Sequence, residues 1–208
     1  IIKFIISATN KYQYNHDKYP KRHQVEKYVN FVNDCLNTNT SPGSLSCYLA
    51  KSKNKKFSRI LGINPGASYG SAKRWYPKQF AKIAIELSDN FDIMVFGGKN
   101  EQDFSNEIED HLIKNNISNY LNLSGKTSIS ELSNYISNLD IFITGDSGPM
   151  HIAASLNIPT ISLFGPTDPI ETSQWKNPYS IIIKKSLDCQ PCMKRTCPLK
   201  HHNCMKLI

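Results

Sequence analysis

Between Thr144 and His151 the chain reads TGDSGPMH, residue types suited to holding a nucleotide diphosphate. Ser147 or Asp146 can cap a helix that starts here, Pro149 suits its first turn, and Gly148 leaves room for a ligand against the backbone. The start of a helix offers unpaired N–H groups and the positive end of its dipole, which together make an anion site. His151 falls on that first turn and is a candidate for the same anion, although a lone helical histidine is more often structural.

A second stretch, NPGASYGSAKRW from Asn64 to Trp75, supplies the hydroxyl of Ser68 and the cation of Lys73 in a loop able to fold over phosphates. It is not a Walker loop, because G-x-x-x-x-G-K-[ST] is absent. Its plainer reading is a surface loop with solvated Lys73 and Arg74. A third stretch, FGPTDP from Phe164 to Pro169, reads as a rigid turn without a ligand role. Cys189, Cys192, Cys197 and Cys204 follow C-x2-C-x4-C-x6-C, with His201 and His202 inside the pattern. Such spacing could close a tetrahedral zinc site or hold an iron–sulfur cluster; the alternative is free thiols packing a tail.

These residues need elements to place them. Val25, Tyr28, Val29, Val32 and Leu36 recur at helical spacing and predict a helix ending near Asn37, after a polar loop that runs to about Arg22. The Asn/Thr/Ser/Pro/Gly run 37–46 then marks a boundary between residues 1–46 and 47–208. From Arg59 strands and helices alternate strictly: strands over 59–64, 92–96, 120–123, 139–144, 160–164 and 180–184, helices over 77–88, 101–114, 129–138 and 149–156. Ser128 and Glu131 form a capping box at the third of these helices. Alternation of this kind implies an α/β fold, a doubly wound parallel sheet of Rossmann-like type. Five successive strands run directly into glycine-containing turns, NPGASYG, FGGKN, LSGKT, TGDSG and FGPTD. All five fall at carboxyl ends, the edge where such sheets bind ligands, so the pattern favours a ligand-binding rim over incidental tight turns.

Composition sets the outer limits. The 208 residues, 39% of them hydrophobic, suffice for one large domain. No stretch approaches the roughly 20 apolar residues of a membrane helix, and the apolar run Ile1–Ile6, read as a strand, is too short for a signal peptide. The expectation is a soluble, unexported protein, and a start at Ile inside a strand points to a piece of a longer chain. The net charge of +8 divides into +7 over residues 1–56, −4 over 57–183 and +5 over 184–208. Basic flanks attract anions, but no stretch interleaves aromatic and basic residues as nucleic-acid platforms do. Nucleic acid is therefore not an expected partner.

GDSGPMH, PGASYGSAKRW and LFGPTDP, in this order and spacing, resemble the lipopolysaccharide heptosyltransferases of glycosyltransferase family 9. HQVEKYVNFV from His23 and CQPCMKRTCPLKHHNC from Cys189 look most like the heptosyltransferase II branch. The resemblance implies a GT-B architecture, two Rossmann-like domains facing across a cleft, with residues 47–208 as the donor-binding C-terminal domain and 1–46 as a remnant of the N-terminal one. It implies a cytoplasmic enzyme that moves heptose from ADP-heptose to a lipid-linked inner-core oligosaccharide, and the basic flanks point to peripheral contact with the anionic inner membrane that carries it. It implies no catalytic cofactor and does not bear on the tail, where structural zinc and free thiols stay alternatives. Carried over by residue, Asp146, Ser147, Gly148, Pro149 and His151 meet the donor's pyrophosphate and heptose, and Lys73 and Ser68 the phosphates, with Lys73 stabilising the leaving group. Thr127 falls near the adenine. Glu101 is a candidate for the ribose hydroxyls, with a helix first-turn carboxylate as its structural alternative. No position matches the family's N-terminal aspartate base, which the resemblance places outside this sequence.

Overall fold

A computed structural model describes residues 11–49 and 59–208. The expected strand at Ile1–Ile6 lies outside the described residues. The chain divides into two compact units, Ile1–Gly43 and Ser44–Ile208.

In the first unit α1 spans Gln24–Leu36. Its start is closed by a capping box in which His23 Nδ1 accepts from the Val25 N–H and Glu26 accepts from the His23 N–H. Asn37 ends it in the left-handed region at φ 51°, a conformation asparagine tolerates. The periodicity of Val25, Tyr28, Val29, Val32 and Leu36 locates the helix but not its buried side: Tyr28, Val32 and Leu36 are exposed, while Lys27 and Asn33 are buried. Asn33 explains part of this, since it donates to Thr40 O and accepts from the Thr38 and Thr40 hydroxyls, folding the following loop onto its own face. The polar stretch before α1 contains one 3-10 turn, His16–Lys18.

The second unit is a six-stranded parallel sheet. Its strands are β1 (Ile60–Asn64), β2 (Asp92–Val95), β3 (Tyr120–Asn122), β4 (Ile141–Gly145), β5 (Thr160–Phe164) and β6 (Ser180–Lys184), in the order β3-β2-β1-β4-β5-β6. The crossovers carry α2 (Pro77–Leu87), α3 (Gln102–Lys114), α4 (Ile129–Ile136), α5 (Gly148–Ser155) and the single turn α6 (Pro169–Thr172), and α7 (Asn203–Lys206) closes the tail. Alternate side chains of β1 feed opposite faces. Leu61 and Ile63 pack with Phe80, Ala84, Ile108 and Leu112 on one side, while Ile60 packs with Phe142, Ile136 and Ala153 on the other. Where both faces are covered, as along β1, β4 and β5, the strands read as continuous apolar runs, as buried parallel strands require.

The strand order reverses direction between β1 and β4, whose registers pair Asn64 with Thr144. At such a switch point the loops leaving two neighbouring strands diverge to opposite faces and open a crevice. Those loops are NPGASYG and TGDSG.

Candidate functional site

A cleft of about 230 Å³ opens at the switch point. Its lining includes Gly66 and Ser68 from the β1 loop, Gly97, Gly98 and Glu101 after β2, Thr127 after β3, and Ser147, Gly148 and Pro149 after β4. Six residues proposed from sequence, Ser68, Glu101, Thr127, Ser147, Gly148 and Pro149, therefore converge. Lys73, Asp146 and His151 do not line this cleft.

Glu101 ends the 3-10 turn Lys99–Glu101 that precedes α3, and its Oε2 accepts the Gly98 N–H at 2.8 Å. A methyl at Gly66 would stand 2.3 Å from the Glu101 carboxyl carbon, so glycine is needed there for this side chain to lie where it does. Glu101 thus satisfies a backbone donor at a helix start, its structural alternative, and also lines the cleft. Helix α3 proper begins one residue later than the spacing implied.

Ser147 stands at the N-cap position of α5 with extended backbone, but its side chain does not cap. This corrects the expectation for the TGDSGPMH turn. The hydroxyl lies 3.1 Å from Thr144 Oγ1 and accepts from Asn64 Nδ2 at 3.2 Å, a pull that turns it away from the helix. Asp146 does not cap either, and the α5 start meets the cleft without a side-chain cap. His151, on the first turn of α5, lies two residues beyond Pro149 and is not among the residues lining the cleft.

Next to the cleft lies a buried ion pair. Lys73 Nζ donates to Asp146 Oδ2 at 2.6 Å and to Asp146 O at 3.3 Å, with the two side chains 11% and 5% exposed. The same carboxylate oxygen accepts from Thr167 Oγ1 at 2.7 Å and Thr172 Oγ1 at 3.3 Å. Lys73 is further placed 4.6 Å above the Tyr69 ring. Lys73 and Asp146, expected to act separately on a ligand, are thus each other's partners, and Arg74, read as solvated, donates to Ala67 O and stacks over Phe104.

Sequence reasoning missed three residues here. Asn64 is 2% exposed, and its amide reaches Gly66 O, Thr144 Oγ1 and Ser147 Oγ, tying the two switch-point loops together. A polar residue at the last position of an apolar strand was its signal. Thr167 was hidden in a turn that reads as structural, and Thr172 in the short α6 that follows it; nothing in FGPTDP announces that a hydroxyl from it holds Asp146.

In the tail, Cys204 is buried and Cys189, Cys192 and Cys197 are half-buried, all as thiols. Among the described residues no group of three or more His, Cys, Asp or Glu side chains is arranged to hold a metal ion. The Cys197 thiol is held below its ordinary range first by the His202 N–H, against some burial, and then by the N–H groups of Leu199, His201 and Lys200. The Cys204 thiol is pushed up, first by burial and then by the neighbouring charges of Cys197, Cys192 and Cys189.

With this geometry in view, the profile of glycosyltransferase family 9 (heptosyltransferase) matches residues 7–203. The chain belongs to glycosyltransferase family 9. Within the family it is 43% identical over 212 residues to lipooligosaccharide heptosyltransferase 2 of Campylobacter jejuni, covering 99% of this chain and 66% of that protein. It is 35% identical over 111 residues to lipopolysaccharide heptosyltransferase 2 of Escherichia coli, covering 53% of this chain and 32% of that one. Among solved structures, that of E. coli ADP-heptose lps heptosyltransferase II superposes with a TM-score of 0.70 at 25% identity, over 79% of this chain and 54% of the other. This family 9 chain therefore matches 66% of the length of the Campylobacter protein and 54% of the solved E. coli chain. Among its described residues no helix is long and apolar enough to cross a membrane.

Proposed function

We propose that the chain is the donor-binding part of an inverting heptosyltransferase, which moves L-glycero-D-manno-heptose from ADP-heptose to the inner-core heptose of lipopolysaccharide or lipooligosaccharide. The observation that carries this is the switch-point cleft, in which an uncapped helix start, four glycines and a carboxylate meet beside a buried Lys73–Asp146 pair. The similarity to an ADP-heptose heptosyltransferase II supports the choice of donor.

The chemistry follows from charge. Glu101, facing the cleft, accepts from ribose hydroxyls, and Thr127 borders the adenine. The diphosphate lies against the start of α5, where Gly148 admits it closely. Lys73 spends two donors on Asp146 and turns its third to the phosphate. As the anomeric carbon leaves ADP it gains oxocarbenium character and negative charge gathers on the β-phosphate. Lys73 and the α5 start stabilise that charge, about 3 kcal/mol for a well-placed donor, so no divalent cation is assigned a role. Ser68 adds a hydroxyl donor from the opposite wall. The base that activates the acceptor is not assigned to this chain.

Calorimetry with ADP and ADP-heptose, against UDP- and GDP-sugars, tests the reading. Tighter binding of the adenine nucleotides is expected; preference for another nucleotide sugar would assign a different donor, and binding of none would remove the transferase reading. The basic flanks, +7 over residues 1–56 and +5 over 184–208, dock the enzyme on the anionic cytoplasmic leaflet that carries the lipid-linked acceptor. Binding to phosphatidylglycerol vesicles should weaken with salt, and binding indifferent to salt would count against docking.

A further inference from the structure

The Cys-rich tail is folded onto the loop that carries Lys73, and its contacts concentrate on one peptide. Ala72, in the 3-10 turn Ser71–Lys73, is 2% exposed. Its N–H donates to Arg195 O at 3.0 Å, and its carbonyl accepts from His202 Nε2 at 3.0 Å. Both polar groups of the residue before Lys73 are therefore bound by the tail. A carbonyl only accepts, so Nε2 of His202 carries a proton, and Nδ1 is left to the Tyr76 hydroxyl at 3.1 Å, whose ring meets His202 edge-on. That second contact fixes the imidazole's orientation.

Neighbouring contacts leave the turn little freedom. A methyl at Gly70 would lie 2.2 Å from Arg195 O, so the tail backbone rests directly on the loop. Tyr69, under the Lys73 ammonium, donates to Met193 O at 2.9 Å and also lies beneath the Arg195 guanidinium. The tail grips the loop after β5 as well: Gln190 donates to Gly165 O, the Met193 N–H donates to Pro166 O at 2.9 Å, and Met205 packs against Gly165. One segment thus spans the loop that supplies Lys73 and the loop that supplies Thr167, the two sources of contact to Asp146.

We infer that the tail sets the position of Lys73, and that His202, through the Ala72 carbonyl, is the positioning residue on which nucleoside diphosphate affinity depends. This rests on the reading of Lys73 as a diphosphate ligand. His202 touches no ligand itself. Its effect passes through the Ser71–Lys73 turn: losing the bond to the Ala72 carbonyl releases one side of that turn and lets the Lys73 ammonium shift.

The test is a cycle of ADP affinities on the whole chain, with amide hydrogen exchange of the turn measured on the same proteins. His202→Ala is expected to weaken ADP about tenfold, and His202→Gln, whose amide still reaches the Ala72 carbonyl, to restore most of the loss. His202→Ala combined with Lys73→Ala is expected to bind no worse than Lys73→Ala alone, because both changes remove the same contact. Exchange at the Ala72 amide should quicken in His202→Ala and return to the wild-type rate in His202→Gln. Tyr76→Phe, which removes only the hydroxyl orienting the ring, should show a smaller loss of the same kind and serves if His202→Ala does not fold. Losses that multiply in the double variant, or unchanged exchange at Ala72, would overturn the inference. If the wild-type chain binds no ADP, the proposed function falls, while the exchange of Ala72 still decides whether His202 holds the turn.

Discussion

Lys73 Nζ lies 2.6 Å from Asp146 Oδ2, across the gap between the loops that leave β1 and β4. Two threonine hydroxyls from the segment after β5, Thr167 in its loop and Thr172 at the end of α6, reach the same oxygen, so three crossover segments meet at one atom. Neither charge is well solvated, and each depends on the other for compensation. An ammonium placed this way keeps a fixed direction at the edge of the cleft, with little reorganisation left for the moment when phosphate charge develops.

The pair can be probed by stability. Asp146→Leu leaves the Lys73 ammonium without its carboxylate, and breaking one side of a buried pair costs about 3–5 kcal/mol. Replacing both, as Lys73→Met with Asp146→Leu, removes the stranded charge and should cost less than Asp146→Leu alone. Urea denaturation of the single and double variants measures this. Additive losses would mean that the two side chains are energetically independent.

Glu101 should separate binding from folding. Glu101→Gln keeps an acceptor for the Gly98 N–H and nearly the same shape, so stability should fall by no more than about 1 kcal/mol. ADP affinity should drop about tenfold, equal to roughly 1.4 kcal/mol, through the weakened contact to ribose. Gly66→Ala should produce a comparable loss by displacing the carboxylate, since its methyl would sit 2.3 Å from the Glu101 carboxyl carbon. Unchanged affinity in both variants would leave Glu101 as a helix-start residue only.

The contrast between Glu101 and Thr167 shows what the sequence could reveal. The sheet was legible because six apolar runs stand among helical periodicities, and the cleft because glycines recur at the carboxyl edge of the first five strands. Those are local signals with fixed periods. Thr167 and Asn64 act on residues 21 and more than 80 positions away, and no local spacing encodes such partners. Ser147 illustrates the same limit in reverse: its type and position satisfy the rule for a cap, yet Asn64 and Thr144, brought alongside by strand pairing, take its hydroxyl. For α1 the spacing found the helix but not its buried side, part of which comes from the way Asn33 folds the following loop onto its own face.

Asn64 itself yields a third prediction. Its amide is buried and engages Gly66 O, Thr144 and Ser147, so Asn64→Leu strands several polar groups at a cost of about 1–3 kcal/mol each where water cannot reach them. Chemical denaturation should show a loss of at least about 2 kcal/mol, larger than for Ser147→Ala, which removes one of these contacts. A neutral Asn64→Leu would mean that the two loops are held by other contacts.

The tail thiols should differ in reactivity, and the order follows from their surroundings. Backbone N–H groups, that of His202 foremost, favour the Cys197 thiolate, so this thiol ionises below the ordinary cysteine range of about 8.5. Burial, reinforced by the charges of Cys197, Cys192 and Cys189, keeps Cys204 protonated above that range. Iodoacetamide at pH 7.5 should therefore label Cys197 first and Cys204 last, with the order read by peptide mass spectrometry. The sign of the linked stability is opposite for the two groups. The contribution from Cys197 is present above its unfolded pKa and is lost as pH falls through the lower folded value; that from Cys204 is present below its unfolded pKa and is lost as pH rises through the higher folded one. In urea the four tail thiols should react at similar rates, because the turn of residues 199–202 that shelters the Cys197 sulfur no longer exists. Equal labelling of Cys197 and Cys204 in the folded chain would show that the backbone donors do not hold the thiolate, and would also loosen the case for a fixed tail turn ending at His202.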